Sequence, residues 1–159
     1  MSARLNASEL DAWQRLQSVT EMLRREVGRG LRSDADLSDA EFTVLAHLVE
    51  AGGEARPSEV SRSIGWESSR VAHQLGRLER RGLLERAAGG GDDGRAQRIT
   101  LTTAGRDAHR RAVGPHLRAA KRWFADALDA EQVEELRGIL SALETHAARI
   151  AATAEERDA

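Results

Sequence analysis

The segment that most constrains the fold runs over residues 82–102 and reads GLLERAAGGGDDGRAQRITLT. Two short runs of strand-like composition, residues 83–87 and 97–102, flank a loop of Gly and Asp, which is the pattern of a β-hairpin. The loop is too long for a two-residue turn, and Arg95 lies on its far side. The segment therefore predicts a hairpin whose loop projects and carries an arginine.

An amphipathic helix is predicted directly before the hairpin, over residues 67–81. Val71, Leu75 and Leu78 recur at helical spacing and mark its inner face. The outer face is left with polar side chains, namely Ser68, Ser69, Arg70, His73, Gln74 and Arg77. A polar helix followed by a basic-edged hairpin is typical of a winged helix-turn-helix, whose second helix fills a DNA major groove. An ordinary solvated hairpin beside a surface helix is the alternative.

Helical periodicity extends over most of the remaining chain. The first predicted helix covers residues 8–31 and is expected to end at Gly28 and Gly30. The second begins at Ser38, and Glu41 three residues later completes a capping box.

A short helix is predicted after Pro57 and ends at Gly65, so that it precedes the polar helix as the first half of a helix-turn-helix. Thr103 begins a long helix, which we expect Gly114-Pro115 to kink or interrupt. The last predicted helix begins near Asp129.

The last helix carries a heptad seam. Its apolar residues alternate in steps of three and four: Val133, Leu136, Leu140, Leu143, Ala147 and Ile150. The seam could pack inside its own domain, but we favour a symmetric homodimer built from the N- and C-terminal helices. The fold class is then mostly α with a small β-hairpin wing. We expect one domain over residues 1–159, with dimerisation helices at 8–31 and 103–153 and a DNA-binding winged helix-turn-helix lobe at 38–102.

Composition narrows the function classes. The net charge is only −2, yet residues 56–98 carry a net +3 and residues 126–158 a net −6, which favours one DNA-facing surface. The absence of cysteine excludes disulfides and thiolate metal sites. No apolar run approaches a membrane span or a signal peptide, so we expect a cytoplasmic protein without a membrane partner. Enzyme motifs for nucleophilic, phosphate-binding or zinc-dependent chemistry are missing, so we expect no enzyme and no cofactor.

The order of these elements resembles the MarR (multiple antibiotic resistance regulator) family of winged helix-turn-helix repressors, over about residues 8–153. Three motifs carry the resemblance: PSEVSRSIG at 57–65, LGRLERRGLL at 75–84 and DGRAQRITLTTAG at 93–105. The resemblance implies a dimeric regulator that binds a palindromic operator in double-stranded DNA. It assigns Arg95 to the minor groove and gives Asp93 the role of steadying that arginine, while Arg98 on the return strand could pair with phosphate.

Members of this family often release DNA when a small phenolic or aromatic acid binds between the dimer helices and the DNA-binding lobe. Five side chains are candidates for lining such an effector pocket: Trp13, Phe42, His47, Trp123 and Phe124. A urate-like ligand is not expected, because Thr43 stands where the urate-responsive branch has an acid. A metal site is not expected either, because the histidines are scattered in sequence. They are His47, His73, His109, His116 and His146.

Two functions remain open at this level. In the first, the chain is a ligand-responsive repressor that reads a specific operator. In the second, the winged helix is a protein-interaction module without specific DNA readout. Two measurements separate these functions. One is the effect of Arg95→Ala on DNA binding, and the other is the salt dependence of binding to specific and scrambled duplexes.

Overall fold

The computed structural model describes residues 4–87 and 98–158, with side chains up to residue 153. The prediction of a mostly helical chain with a small β-wing is confirmed. In chain order the elements are α1 (Ala7–Ala35), α2 (Asp39–Glu50), β1 (Glu54–Ala55), α3 (Pro57–Ile64), α4 (Ser68–Arg80), β2 (Leu84–Ala87), β3 (Arg98–Leu101), α5 (Thr103–Trp123), a 3₁₀ turn (Ala125–Ala127) and α6 (Ala130–Asp158). The chain divides into two compact units, residues 1–120 and 121–159.

The first helix is longer than predicted. Asn6 caps α1, and the helix ends at Asp36, a left-handed residue with φ 52°. Gly28 and Gly30 therefore do not end it. A methyl group at Gly28 would approach the Cβ of Asp39 to 3.2 Å, so this glycine allows the start of α2 to pack closely against α1. Close packing between two helices thus explains Gly28, although the low helix propensity of glycine had indicated a helix end.

The wing is a three-stranded antiparallel sheet in the order β1-β3-β2. The two predicted strands pair with each other, and Leu84 lies opposite Leu101. Glu54 and Ala55 form the additional strand β1 on the other edge of β3. Two residues are too few to show a period-two pattern, which is why the sequence did not reveal this strand.

The core of the first unit lies between α2, α3, α4 and the sheet. The inner face predicted for α4 is confirmed, because Val71, Leu75 and Leu78 are fully buried. Val60 of α3 and Ile99 of β3 are also fully buried in the same cluster. This packing leaves the opposite face of α4 outward.

The helix α5 is continuous through Pro115, so the predicted interruption is wrong. Proline removes one backbone hydrogen bond from a helix. Ala108 and Ala112 are buried on one side of Pro115. On the other side, Ala119 lies close to Gly30 of α1, because a Cβ atom added to that glycine would be 3.7 Å from the Cβ of Ala119. Packing on both sides of the proline outweighs the lost hydrogen bond.

In the second unit, α6 begins as predicted next to Asp129. The Asp129 side chain accepts a hydrogen bond from the backbone N–H of Gln132, and the Gln132 side chain accepts one from the N–H of Asp129. This reciprocal pair is a capping box. Leu140, Leu143 and Ile150 of the heptad seam are about half exposed in the single chain.

Candidate nucleic-acid interface

The turn between α3 and α4 sets the start of the candidate reading helix. Pro57 occupies the first position of α3, and Gly65 ends α3 in the left-handed region with φ 66°. The backbone N–H of Trp66 donates to the carbonyl of Ser61 at 3.1 Å. Because glycine adopts this conformation without a Cβ penalty, the chain turns sharply and α4 begins three residues later, at Ser68.

The outer side of the first turns of α4 is exposed. Ser68, Ser69 and Arg70 lie at the N-terminal end of the helix and are exposed, as is His73. Free backbone N–H groups and the helix dipole favour an anion at such an end. This end of α4 therefore combines hydroxyl donors, an arginine and a favourable dipole for a phosphate group.

Arg70 lies over the aromatic face of Trp66. Its guanidinium carbon is 3.8 Å from the ring centroid. Trp66 is half buried and packs against the core, so the ring is a fixed platform. A cation–π contact of this kind limits the conformations of the arginine side chain. The sequence did not predict this pairing.

Gln74 lies one turn further along α4 and is half buried. Its Oε1 atom is buried and has no hydrogen-bond partner within the described part of the chain. A buried amide oxygen without a partner is costly.

The side chain of Arg77 is directed to a buried carboxylate. Its Nε atom is 3.6 Å from Oε1 of Glu41 in α2, and Glu41 is 1% exposed. Arg81 reaches the same oxygen through Nη1 at 3.1 Å. Thus Arg77, predicted to contact DNA, lies beside an internal ion pair that the sequence did not indicate.

Glu41 also completes the capping box predicted at the start of α2. The backbone N–H and the hydroxyl of Ser38 both donate to its Oε2 at 2.9 Å. Burial alone would raise the pKa of Glu41, but the hydrogen bonds from Ser38 and the contact with Arg81 lower it below its ordinary value of 4.5. The carboxylate is therefore ionised at neutral pH.

On the wing, Arg98 of β3 forms an ion pair with Glu54 of β1, and both side chains are about half exposed. Arg86 of β2 pairs with Glu79 of α4 at 3.0 Å. Asp93 and Arg95 lie outside the described residues. The Arg98–Glu54 pair joins two strands of the wing, and the Arg86–Glu79 pair links the wing to α4.

The candidate effector-pocket residues have different surroundings. Phe42 is 8% exposed and belongs to the core. His47 lies with its Nδ1 atom 3.1 Å from the hydroxyl of Ser63 in α3. Trp13 on α1 is half exposed, and Trp123 and Phe124 are more than a third exposed in the second unit. Within the first unit, Phe42 and His47 thus already have partners in the protein.

Two histidines of α5 enclose Phe42. The ring centroid of His109 is 5.4 Å from that of Phe42, and the centroid of His116 is 4.4 Å away. The sequence indicated no such contact, because α2 and α5 are far apart along the chain. Burial lowers the pKa of both histidines, and the lowering is partly opposed by Glu50 near His109 and by Asp39 near His116.

Residues 4–87 and 98–158, which the structure describes, offer neither a metal site nor a membrane span. Nowhere in those ranges do three or more His, Asp or Glu side chains gather in a group that could hold a metal ion. No helix within them has the length and apolarity that a membrane crossing requires.

Comparison with known proteins shows what these features resemble. A family model described as MarR family matches residues 35–96, from the end of α1 through the wing loop. A comparison with curated protein sequences gave no match.

Solved structures match over nearly the whole chain. The MarR family regulator Sco3205 of Streptomyces coelicolor, in complex with DNA, is 26% identical with a TM-score of 0.82, covering 91% of this chain and 90% of that one. The organohalide-sensing regulator RdhR-CbdbA1625 with bound 2,4-dichlorophenol is 28% identical with a TM-score of 0.80, covering 89% and 82%. A MarR variant from E. coli with operator DNA is 20% identical with a TM-score of 0.77, covering 89% and 99%, which supports the fold alone.

Proposed function

We propose that this chain is a winged helix-turn-helix transcription regulator of the MarR type, which its similarity to that family supports. We propose further that it is a homodimeric repressor, released from a palindromic operator by a small aromatic or phenolic effector. The observation that carries the DNA-binding part is the exposed N-terminal end of α4, where Arg70 lies over the ring of Trp66. The alternative is a protein-interaction module without specific DNA readout.

We assign the contacts as follows. Ser68 and Ser69 hold a phosphate at the N-terminus of α4. Arg70, His73 and Gln74 face base edges in the major groove, where arginine suits guanine and the amide of glutamine suits adenine.

The wing supplies a second contact. Arg95, steadied by Asp93, enters the minor groove, whose potential favours a guanidinium group. Arg98 is exposed enough to approach a phosphate while it keeps its contact with Glu54. These assignments rest on the family motif at residues 93–105.

Exposed apolar side chains on α1 and α6 support the proposed dimer. Trp13 and Leu16 on α1, and Leu140 and Leu143 on α6, are 42–50% exposed in the single chain. Large apolar side chains repeated along a helix face favour a partner helix. In a two-fold dimer, two α4 helices about 34 Å apart would meet successive major grooves.

The effector part rests on a relative. A regulator 28% identical to this chain has 2,4-dichlorophenol bound in its structure. The candidates for effector contact are Trp13, Phe42 and His47 in the first unit and, separately, Trp123 and Phe124 in the second. An effector changes DNA affinity only if it favours a lobe spacing that fits the duplex less well.

The experiment is a titration of duplex DNA from upstream of the coding sequence, against a scrambled duplex, at several salt concentrations. We expect the wild type to prefer the upstream duplex and Arg95→Ala to weaken that binding. Arg110→Ala, which removes an exposed arginine paired with Asp107 on α5, is the matched control and should bind as the wild type does. Equal affinity for both duplexes would instead favour the protein-interaction module.

The effector is tested separately. In a thermal-shift screen of aromatic acids and phenols, we expect the effector to raise the melting temperature of the protein. The compounds that do so should then release the upstream duplex. Compounds that stabilise the protein without changing its DNA affinity would contradict the release mechanism while leaving the DNA-binding assignment intact.

A further inference from the structure

Glu41 is the buried charged residue of the described ranges, with 1% exposure. Burying a carboxylate is costly unless it is paired and hydrogen-bonded. Both of its oxygens are occupied, but by different elements. Oε2 accepts the two donors of Ser38 at the start of α2, and Oε1 faces Arg77 and Arg81 at the far end of α4.

Arg81 extends the cluster to a third element. Its Nη2 atom donates to the backbone carbonyl of Asp36 at 2.6 Å and to the Asp36 carboxylate at 2.9 Å. Asp36 is the left-handed residue that ends α1. The cluster of Asp36, Ser38, Glu41, Arg77 and Arg81, here called the Glu41 cluster, therefore joins the end of α1, the start of α2 and the last turns of α4.

Arg70 and Arg77, near opposite ends of α4, have different surroundings. Arg70 at the N-terminal end lies over the uncharged ring of Trp66. Arg77 is nearly half exposed, but it shares a buried carboxylate with Arg81. A buried carboxylate is screened less by salt than a surface one, so it competes effectively with a solvated phosphate for Arg77.

We propose that Glu41 is a positioning residue of the DNA interface, which holds the C-terminal half of α4 through Arg77 and Arg81 and withholds Arg77 from the DNA phosphates. This inference rests on the proposed role of α4 as the reading helix. It reassigns Arg77 from a DNA contact to an internal support. It also gives the end of α1, a proposed dimerisation helix, a direct connection to the reading helix.

The first test is the salt dependence of binding to the upstream duplex. Each arginine that pairs with phosphate contributes about one unit to the slope of log affinity against log salt. We expect Arg77→Gln to leave the slope unchanged, and Glu41→Gln to steepen it by about one unit because Arg77 is released. The double variant Glu41→Gln/Arg77→Gln should return to the wild-type slope. A slope that falls by about one unit in Arg77→Gln alone would overturn the proposal.

The second test needs no DNA. Hydrogen exchange of the backbone amides of residues 75–81 should become faster in Glu41→Gln and in Arg81→Gln, since either change loosens the end of α4. Glu50→Gln, which removes an exposed carboxylate from the same helix α2, is the matched control and should not change this exchange. Unchanged exchange in Glu41→Gln would overturn the positioning role. Accelerated exchange in a protein with no preference for the upstream duplex would uphold that role and refute the proposed function instead.

Discussion

The guanidinium of Arg70 lies 3.8 Å above the indole ring of Trp66, at the point where the turn of the helix-turn-helix enters α4. Trp66 is held by the core, and its backbone N–H is bonded to Ser61. An arginine restrained in this way loses less conformational freedom on binding than a free one. Trp66 in the turn thus restrains Arg70, the first arginine of α4.

We expect Arg70→Ala to lower affinity for the upstream duplex roughly 5- to 150-fold, the range for loss of one specific base contact. Trp66→Leu keeps an apolar group against the core but removes the cation–π contact, and should lower affinity only about 2- to 5-fold. Fluorescence anisotropy with upstream and scrambled duplexes measures both. Arg80→Ala, at the exposed end of the same helix, is the control. An equal loss on the two duplexes would show that Arg70 contacts phosphate and not a base.

The stability of the protein should fall in mild acid because of His109 and His116. The pKa of each is lowered below 6.5 by burial, so the folded state favours the neutral rings that stack on Phe42. The unfolded chain takes up protons as the pH falls below 6.5, and the folded chain does so only at lower pH. The stabilisation is therefore complete above that pH and is lost as the pH falls through the lowered pKa values.

Urea unfolding at fixed protein concentration, between about pH 7.5 and pH 5.5, measures this effect, and each histidine contributes a slope of at most about 1.4 kcal/mol per pH unit. We expect His109→Gln and His116→Gln each to flatten the profile. His146→Gln, at an exposed position of α6, should not. If the two buried-site variants keep the wild-type profile, other groups are responsible for the acid sensitivity.

Gly105 is required by close packing between α5 and the chain before β2. A Cβ atom there would lie 1.9 Å from the carbonyl oxygen of Leu83 and 3.1 Å from a methyl group of Leu101. We expect Gly105→Ala to lower the free energy of unfolding by about 3 kcal/mol, at the upper end for overpacking. Gly76→Ala, in open space within α4, should raise it by about 0.5–1 kcal/mol through helix propensity. Denaturant unfolding compares them, and similar effects at both sites would refute the packing argument.

The proposed dimer predicts a strong effect at the heptad seam of α6. Leu143→Glu places a charge at a seam position that is half exposed in the single chain, and should convert the protein to a monomer and abolish its preference for the upstream duplex. Sedimentation velocity at micromolar concentration gives the oligomeric state. Thr145→Glu lies on the opposite face of the same helix and should remain dimeric. A dimeric Leu143→Glu protein would exclude the seam as the interface.

Much of the region formed by α2, α3, α4 and the wing could be predicted from the sequence, because local backbone geometry determines these elements. The spacing of Val71, Leu75 and Leu78 requires one buried face on a helix, and the structure buries all three. Ser38 and Glu41 of the capping box are only three positions apart, so the pattern is visible along the chain. The wing strands and the polar outer face of α4 follow from the same local rules.

Tertiary structure alone decided the contacts between residues far apart in the chain. Glu41 was recognisable as a capping residue, but its pairing with Arg81 joins positions that are 40 apart. Phe42 became a core residue because His109 and His116 of α5 pack on both of its sides. Periodicity shows which face of an element is buried, but it does not show which distant element covers that face. The sequence therefore determined the helices, their caps and the polar face of α4. Packing between distant elements decided which of those polar groups are paired inside the protein.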